Sequence, residues 1–479
     1  MKLSVFFPTG LVALFLACSV RAAAPAAPLA DWKAGVAVVD ITPELPMWMA
    51  GYGARTRPGD QVAQRLHAKG LALEDARGRV AVLVTTDTLG IPRLVRANVE
   101  QRVAAQFKLP ASHLLINASH THTGPEIRVI DTSFGRQDQA RLERVVKYRQ
   151  ELEDKLVQVV GEALAHRAPA ALAFGQAQAG FAMNRRENYS LPKGDLRSGK
   201  VPNPDGPVDH DVPVLQVTDA AGKLVAVLFG YACHNTTLDG YAFTGDYAGF
   251  AQAHLEAAHP GAVALFMSGC SGDQNPHPRR DMIPGVKPLE LASQHGRTLA
   301  IAVEAALQSF PRPLASQLES VLEDVALDYQ PVPTREELQQ QLKSSDRTTR
   351  ENAQVNLEKL DREGRLPTQY PYPVQLLRVG PLTLVALASE VVVDYSLRLK
   401  REIPGPLWVS AYNNDFMGYM PSHRVWLEGG YEGGGSLVFT SSSMYRGAVH
   451  PNIWAPTLEE RIIAKVHELN GRLPRPAAP

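Results

Sequence analysis

The chain of 479 residues, 45% of them hydrophobic, is long enough for one large or two ordinary domains with a substantial buried core, which excludes a disordered protein. Lys plus Arg and Asp plus Glu both number 49, so the formal net charge is zero. With no long basic run to release counterions, nucleic acid is excluded as a partner. Three cysteines among 37 glycines and 36 prolines describe a loop-rich globular chain that disulfides do not hold together.

Lys2, the apolar run Leu11 to Val20 and the small residues around Ala22-Ala23-Ala24 predict a signal peptide over residues 1–24, with residues 25–479 as one mature domain, secreted or periplasmic. The apolar run is shorter than the roughly 20 residues of a membrane span, and no later segment is long and apolar enough, so no transmembrane segment is expected. Phe15-Leu16-Ala17-Cys18 matches a lipoprotein site imperfectly, which favours release over anchoring. Loss of Cys18 leaves Cys233 and Cys270, each after an apolar run, readable as a disulfide or as two buried thiols.

From residue 33 onward short apolar runs alternate with amphipathic stretches, which predicts an α/β fold. Leu71 to Glu74 and Arg79 to Thr86 flank the turn Asp75-Ala76-Arg77-Gly78, and Val212 to Thr218 and Leu224 to Tyr231 flank Asp219-Ala220-Ala221-Gly222. Two such hairpins beside helical crossovers predict mixed sheets flanked by helices. Val95, Val99, Val103 and Phe107 mark a one-sided helix, followed by a strand over His113 to Asn117. Further helices are predicted over Asp138 to His166 and Pro288 to Gln308. The charged segment Thr334 to Gly364 opens with a capping-box pattern, Thr334 and Glu337, and reads as an insertion of two exposed helices broken near Ser344-Ser345.

The candidate chemistry lies where strands end. Ser119-His120-Thr121-His122-Thr123-Gly124-Pro125 follows a strand, and in extended backbone His120 and His122 point to one side. Two neutral imidazoles there suit zinc, and a hydrogen-bonded loop pair is the alternative. His234 ends a hairpin strand within Cys233-His234-Asn235. Glu390 closes the strand Leu382 to Ala388 and is expected at a helix N-terminus, where capping is the ordinary role. Three strand ends presenting His or Glu fit a catalytic zinc with an open position. The loops Gly269 to Pro276 and Gly429 to Gly435 lack the Gly-Lys-Ser/Thr ending of a phosphate loop, and Ser271 stands in no Gly-x-Ser-x-Gly elbow.

Taken together, Gly35-x-x-x-x-Asp40-Ile41-Thr42-Pro43, Met49-Ala50-Gly51-Tyr52-Gly53, Ser119 to Pro125, Asn184-Arg185, Ala232-Cys233-His234, Gly245-Asp246-Tyr247, Gly272-Asp273 and Tyr431-Glu432-Gly433 resemble, in order, the motifs of the neutral (alkaline, non-lysosomal) ceramidase family. The resemblance implies a layered ceramidase-like catalytic domain and a zinc hydrolase that cleaves the amide of an N-acyl lipid such as ceramide. It implies Zn2+ held by His120, His234, Glu390 and Tyr431, with His122 and Arg185 beside the bound amide. Where the family carries a serine, this chain has Asn275, which is expected to donate a hydrogen bond while activated water attacks. The family's carboxy-terminal β-sandwich domain is not expected in the chain. A lipid or small-molecule substrate, with transient contact at a membrane surface, completes the expectation. The alternatives are a zinc hydrolase of a small polar amide or ester, and a metal-dependent binding protein without turnover.

Overall fold

The computed structural model describes residues 31–128, 138–186, 203–280, 282–309, 311–438 and 450–474. The expected signal peptide, residues 1–24, lies outside them.

Alternating apolar residues build a nine-stranded sheet. It comprises β1 (Trp32–Asp40), β3 (His67–Glu74), β4 (Val80–Thr86), β5 (Leu114–Ala118), β6 (Ala168–Gln178), β8 (Asp211–Asp219), β9 (Leu224–Tyr231) and β11 (Val263–Ser268), in the order β11-β9-β8-β6-β1-β3-β4-β5, with β13 (Arg312–Pro313) pairing on β6. A second sheet has the order β14 (Leu318–Asp328), β15 (Gln369–Val379), β16 (Leu382–Leu387) and β18 (Leu407–Ser410). Three two-stranded ladders sit at the strand ends: β2 (Gln61–Val62) with β10 (Ala242–Phe243), β7 (Ala182–Asn184) with β12 (Gln274–Pro276), and β17 (Glu390–Val391) with β19 (Tyr419–Met420).

Both expected hairpins form, β3–β4 and β8–β9. Within the two larger sheets, three neighbouring pairs are parallel, β4–β5, β9–β11 and β16–β18. Each needs a crossover, supplied by α1 (Arg93–Phe107), α3 (Asp246–Ala258) and α7 (Val393–Glu402). The strand ends that follow are where an α/β sheet opens a ligand crevice.

Alternation along β4 explains the layering. Val82 and Val84 face α1 and α2 (Gln139–Ala165), in a cluster with Val95, Val99, Leu152 and Leu156. Ala81 and Leu83 face the other way, packing with Leu377, Leu384 and Trp408 of the second sheet. Farther along, α3 and α4 (Pro288–Gln308) cover β8, β9 and β11 through Leu255, Leu299 and Phe266. The second sheet's outer face is closed by Leu399 of α7 and by Ile462 and Val466 of the helix Leu458–Arg472. The result is helices, sheet, sheet, helices, an α/β fold with mixed sheets.

The charged segment forms α5 (Arg335–Gln341) and α6 (Arg347–Glu363), and Thr334 and Glu337 make the expected capping box. The helices are less exposed than expected, because Ala353 and Leu357, one turn apart, bury against Leu338 and Leu366. Cys233 and Cys270 do follow neighbouring strands, and both are buried free thiols. Glu390 departs from expectation: α7 begins only at Val393, and Glu390 pairs with Tyr419 in the β17–β19 ladder, so its carboxylate does not cap a helix. Among the described residues no helix is long and apolar enough to cross a membrane.

Candidate metal centre

Three chain reversals bring the expected ligands together. His120 lies two residues beyond β5, His234 three beyond β9, and Glu390 three beyond β16. His120 and Ser389 adopt left-handed backbone, φ 59° and 64°, a costly conformation for residues with a Cβ and one that gathers at functional sites. His120 and His122 therefore meet through a turn and not through the alternation of an extended strand. Gly51, φ 97°, makes room for them: a Cβ there would stand 2.7 Å from His122. That close approach gives the Met49-to-Gly53 motif a physical reason.

The ligand nitrogens of His120, His122 and His234 lie within 4.8 Å of one another, all buried. His120 Nδ1 donates to the Leu89 carbonyl at 2.7 Å and His234 Nδ1 to the Ser271 carbonyl at 2.6 Å. A carbonyl only accepts, so the protons sit on Nδ1, and each Nε2 presents a lone pair. Both lone pairs meet Glu390 Oε2, at 3.3 Å and 3.2 Å. Burial, with Arg185 nearby, pushes His234 down to about 3, and burial with His120 and His234 alongside holds His122 well below the imidazole range. Burial raises Glu390, and the two imidazoles would lower it only by donating to it or by carrying charge, which neutral rings presenting lone pairs do not do. Neutral imidazole nitrogens and a carboxylate oxygen thus converge with acceptor atoms facing one another. A cation among them removes that conflict, and the N/O donor set with backbone-oriented imidazoles suits a divalent metal. His122 Nδ1 is also buried without a hydrogen-bond partner among the described residues.

A tyrosine outside the expected set joins the cluster. Tyr419 hydroxyl lies 3.3 Å from His234 Nε2, and its ring stacks on that imidazole. Tyr431, the tyrosine expected as a ligand, meets the Tyr419 ring edge-on at 5.3 Å and is 36% exposed. Tyr412 covers His120 from the other side, with ring centroids 4.4 Å apart.

Arg185, just after β7, is buried and clamped. It donates from Nε to Glu432 at 2.9 Å, from Nη1 to Asn275 Oδ1 at 3.2 Å and from Nη2 to the Tyr419 hydroxyl at 2.7 Å. Burial opposes its charge, yet Tyr419, Glu432 and Glu390 raise it well above the ordinary value. Arg186 continues the chain of ion pairs to Glu432 and Glu428. Asn275 sits in β12 against Met183 and also accepts from Thr236 Oγ1 at 3.4 Å. Ser271 is fully buried, its hydroxyl bonded to Tyr412, so it supports the centre from behind. Asp273 ties β7 to α7 by accepting from Asn184 and from the Val393 N–H; burial, then Asp394, pushes it up to about 7.

Of these, Tyr419, Tyr412 and Thr236 carried no motif-level signal: each is an ordinary residue in an ordinary run, given meaning only by the fold.

The model of the neutral/alkaline non-lysosomal ceramidase family, N-terminal part, matches residues 32–279, more than half of the chain. The chain belongs to this family. Neutral ceramidase of Pseudomonas aeruginosa is 24% identical, over 91% of this chain and 73% of that protein. Neutral ceramidase of Mycobacterium tuberculosis is 23% identical, over 84% and 73%. The crystal structure of the Pseudomonas aeruginosa enzyme superposes with a TM-score of 0.70 at 20% identity, covering 94% of this chain and 76% of that one. A ceramidase complexed with C2 superposes equally well, at 19% identity over 94% and 77%. These likenesses establish the ceramidase fold.

Proposed function

We propose that the chain is a secreted or periplasmic zinc-dependent amidohydrolase that cleaves ceramide or a related N-acyl lipid with water as the nucleophile. The observation that carries this reading is the convergence of His120 Nε2, His234 Nε2 and Glu390 Oε2 as buried acceptors at the ends of strands from both sheets. Membership of the ceramidase family supports the amide as the bond broken.

His120, His234 and Glu390 would hold the metal. For the tyrosine ligand, Tyr419 is the better assignment than Tyr431, because its hydroxyl is buried beside His234. When bound, zinc supplies Lewis acidity at the carbonyl and brings the pKa of water to about 7.

The rest falls to the chain's own groups. Arg185 is held rigid by Glu432, Tyr419 and Asn275, with guanidinium N–H groups left over to meet the negative charge that grows on the amide oxygen. His122, neutral in its buried setting, accepts a proton from the attacking water and returns it to the leaving nitrogen. A carbon–oxygen bond forms, the carbon–nitrogen bond breaks, and an amine and a carboxylic acid leave, the acid giving its proton to solvent to become a carboxylate. The oxygen of Asn275 is already committed to Arg185 and Thr236, so this residue serves as a fixed polar contact and not as a nucleophile.

Asn275 in the place of the family's serine also favours a second reading, a zinc hydrolase of a small polar amide or ester. One assay separates the two: release of fatty acid from a short-chain ceramide, with chelator and after zinc is restored. Chelator-sensitive release is expected. No release from folded, zinc-loaded protein would overturn the ceramide assignment and move the search to polar amides and esters.

A further inference from the structure

Ser389 directs its N–H, its carbonyl and its hydroxyl at one loop, residues 411–418 between β18 and β19. The N–H donates to the Asp415 carbonyl at 3.0 Å, and the carbonyl accepts from the Tyr412 N–H at 2.9 Å. The hydroxyl accepts from the Met417 and Gly418 N–H groups at 3.0 Å and 2.9 Å and donates to the Gly418 carbonyl. A hydroxyl has one donor and two acceptor positions, and here all three are filled. Ser389 and these partners are buried, so water does not replace a lost bond.

Backbone on both sides is shaped for this grip. Gly418 has φ 132°, a conformation open to glycine, and there it turns both its N–H and its carbonyl to the same hydroxyl. Ser389 holds φ 64°, which a residue with a Cβ keeps only where its surroundings impose it. Glycine would adopt that backbone without cost, so what serine adds at this position is the hydroxyl.

The gripped loop surrounds the candidate metal centre. Tyr412, near its start, covers His120, and the Phe416 ring lies 5.8 Å from the same imidazole. Tyr419 follows Gly418 directly, with its hydroxyl 3.3 Å from His234 Nε2. Ser389 is joined in the chain to Glu390, whose N–H donates to the same Gly418 carbonyl at 3.1 Å. The contact between Ser389 and Gly418 therefore fixes where Tyr419 stands relative to Glu390, its partner in the β17–β19 ladder. We propose that Ser389 is a positioning residue, its hydroxyl seating the Tyr419 hydroxyl against Glu390 and His234 so that the metal meets all its donors at once. The inference rests on the metal-centre reading above and requires no contact of Ser389 with ion or substrate.

Zinc affinity of the purified full chain, measured by competition with a chelating dye, and melting of the metal-free protein test this in Ser389→Ala and Ser389→Gly. Both variants should bind zinc about 10- to 100-fold more weakly than the parent, the loss typical of groups that hold a ligand in place. Without metal, Ser389→Gly should melt above Ser389→Ala, because it escapes the left-handed strain, and yet bind zinc no better. With Co2+ in place of zinc, the visible absorption of both variants should differ from that of the parent, since the donors around the ion have moved. In a Tyr419→Phe background, Ser389→Gly should weaken zinc by about threefold or less, because the hydroxyl acts through Tyr419. Unchanged zinc affinity and Co2+ spectrum in both variants overturn the inference, as does full additivity with Tyr419→Phe. Zinc affinity that recovers in Ser389→Gly along with stability makes the role structural only and overturns the inference alone. A parent that binds no zinc overturns the metal centre, and this inference with it.

Discussion

Two buried polar clusters lie side by side at the strand ends and are balanced in different ways. Around His120, His234 and Glu390, acceptors face acceptors. Around Arg185, Arg186, Glu428 and Glu432, each cation meets a carboxylate at 3.1 Å or less. On the proposed reading the first is completed by an added cation, whereas the second is complete as the chain folds. Tyr419 joins them, touching His234 on one side and Arg185 on the other. A buried group left without its counterpart is costly, so the two clusters should respond differently to the same kind of substitution.

The largest effect is expected at Glu390. Glu390→Gln should lower metal affinity by more than about 100-fold, beyond the loss typical of groups that only support a ligand. Its amide N–H can donate to an imidazole Nε2, so the metal-free variant should melt no lower than the metal-free parent. Metal content after dialysis and thermal melts with chelator measure both; unchanged metal content would remove Glu390 from the site. Next comes Glu432→Gln, which leaves two buried arginines short of charge and should cost about 3–5 kcal/mol of stability while metal content holds. If metal is lost as well, the two clusters act as one unit. Asn275→Ala removes a single contact to Arg185 and should lower kcat about tenfold, with metal and melting temperature nearly unchanged.

A further effect, confined to pH, lies outside both clusters. His450 is buried between the Tyr329 hydroxyl and the Met417 carbonyl, and burial brings it down to about 4. The unfolded chain protonates this group near 6.5, so its contribution is fully present above that pH and is lost as pH falls towards 4. At most about 3 kcal/mol is involved. Melting of metal-free protein between pH 7 and about 4 should show this slope, and His450→Phe should flatten it.

Much of this arrangement is legible in the sequence because it rests on local pattern. The two hairpin turns, the capping box at Thr334 and the one-sided helix from Val95 to Phe107 follow from turn chemistry and periodicity, and each forms. The histidines are legible for a related reason: a polar break straight after an apolar run marks a strand end. Glu390 shows where local reading stops. A carboxylate before a helix reads as a cap, and only the pairing of Glu390 with Tyr419, across an intervening helix and strand, turns it towards the imidazoles. Tyr419 and Thr236 were illegible for the same reason, since their neighbours in space are remote in the chain. The exposure expected for Thr334 to Gly364 failed on composition, because few apolar residues suffice when Ala353 and Leu357 share one face.

The proposed metal centre draws His120 and His234 from the end of the larger sheet and Glu390 from the end of the smaller one, at positions roughly 270 residues apart between His120 and Glu390. A bound ion there is a reversible crosslink between the layers, closing a very long loop. Resistance to unfolding would then be set by how slowly the ion leaves, so that chelation loosens the seam between the sheets before either sheet comes apart.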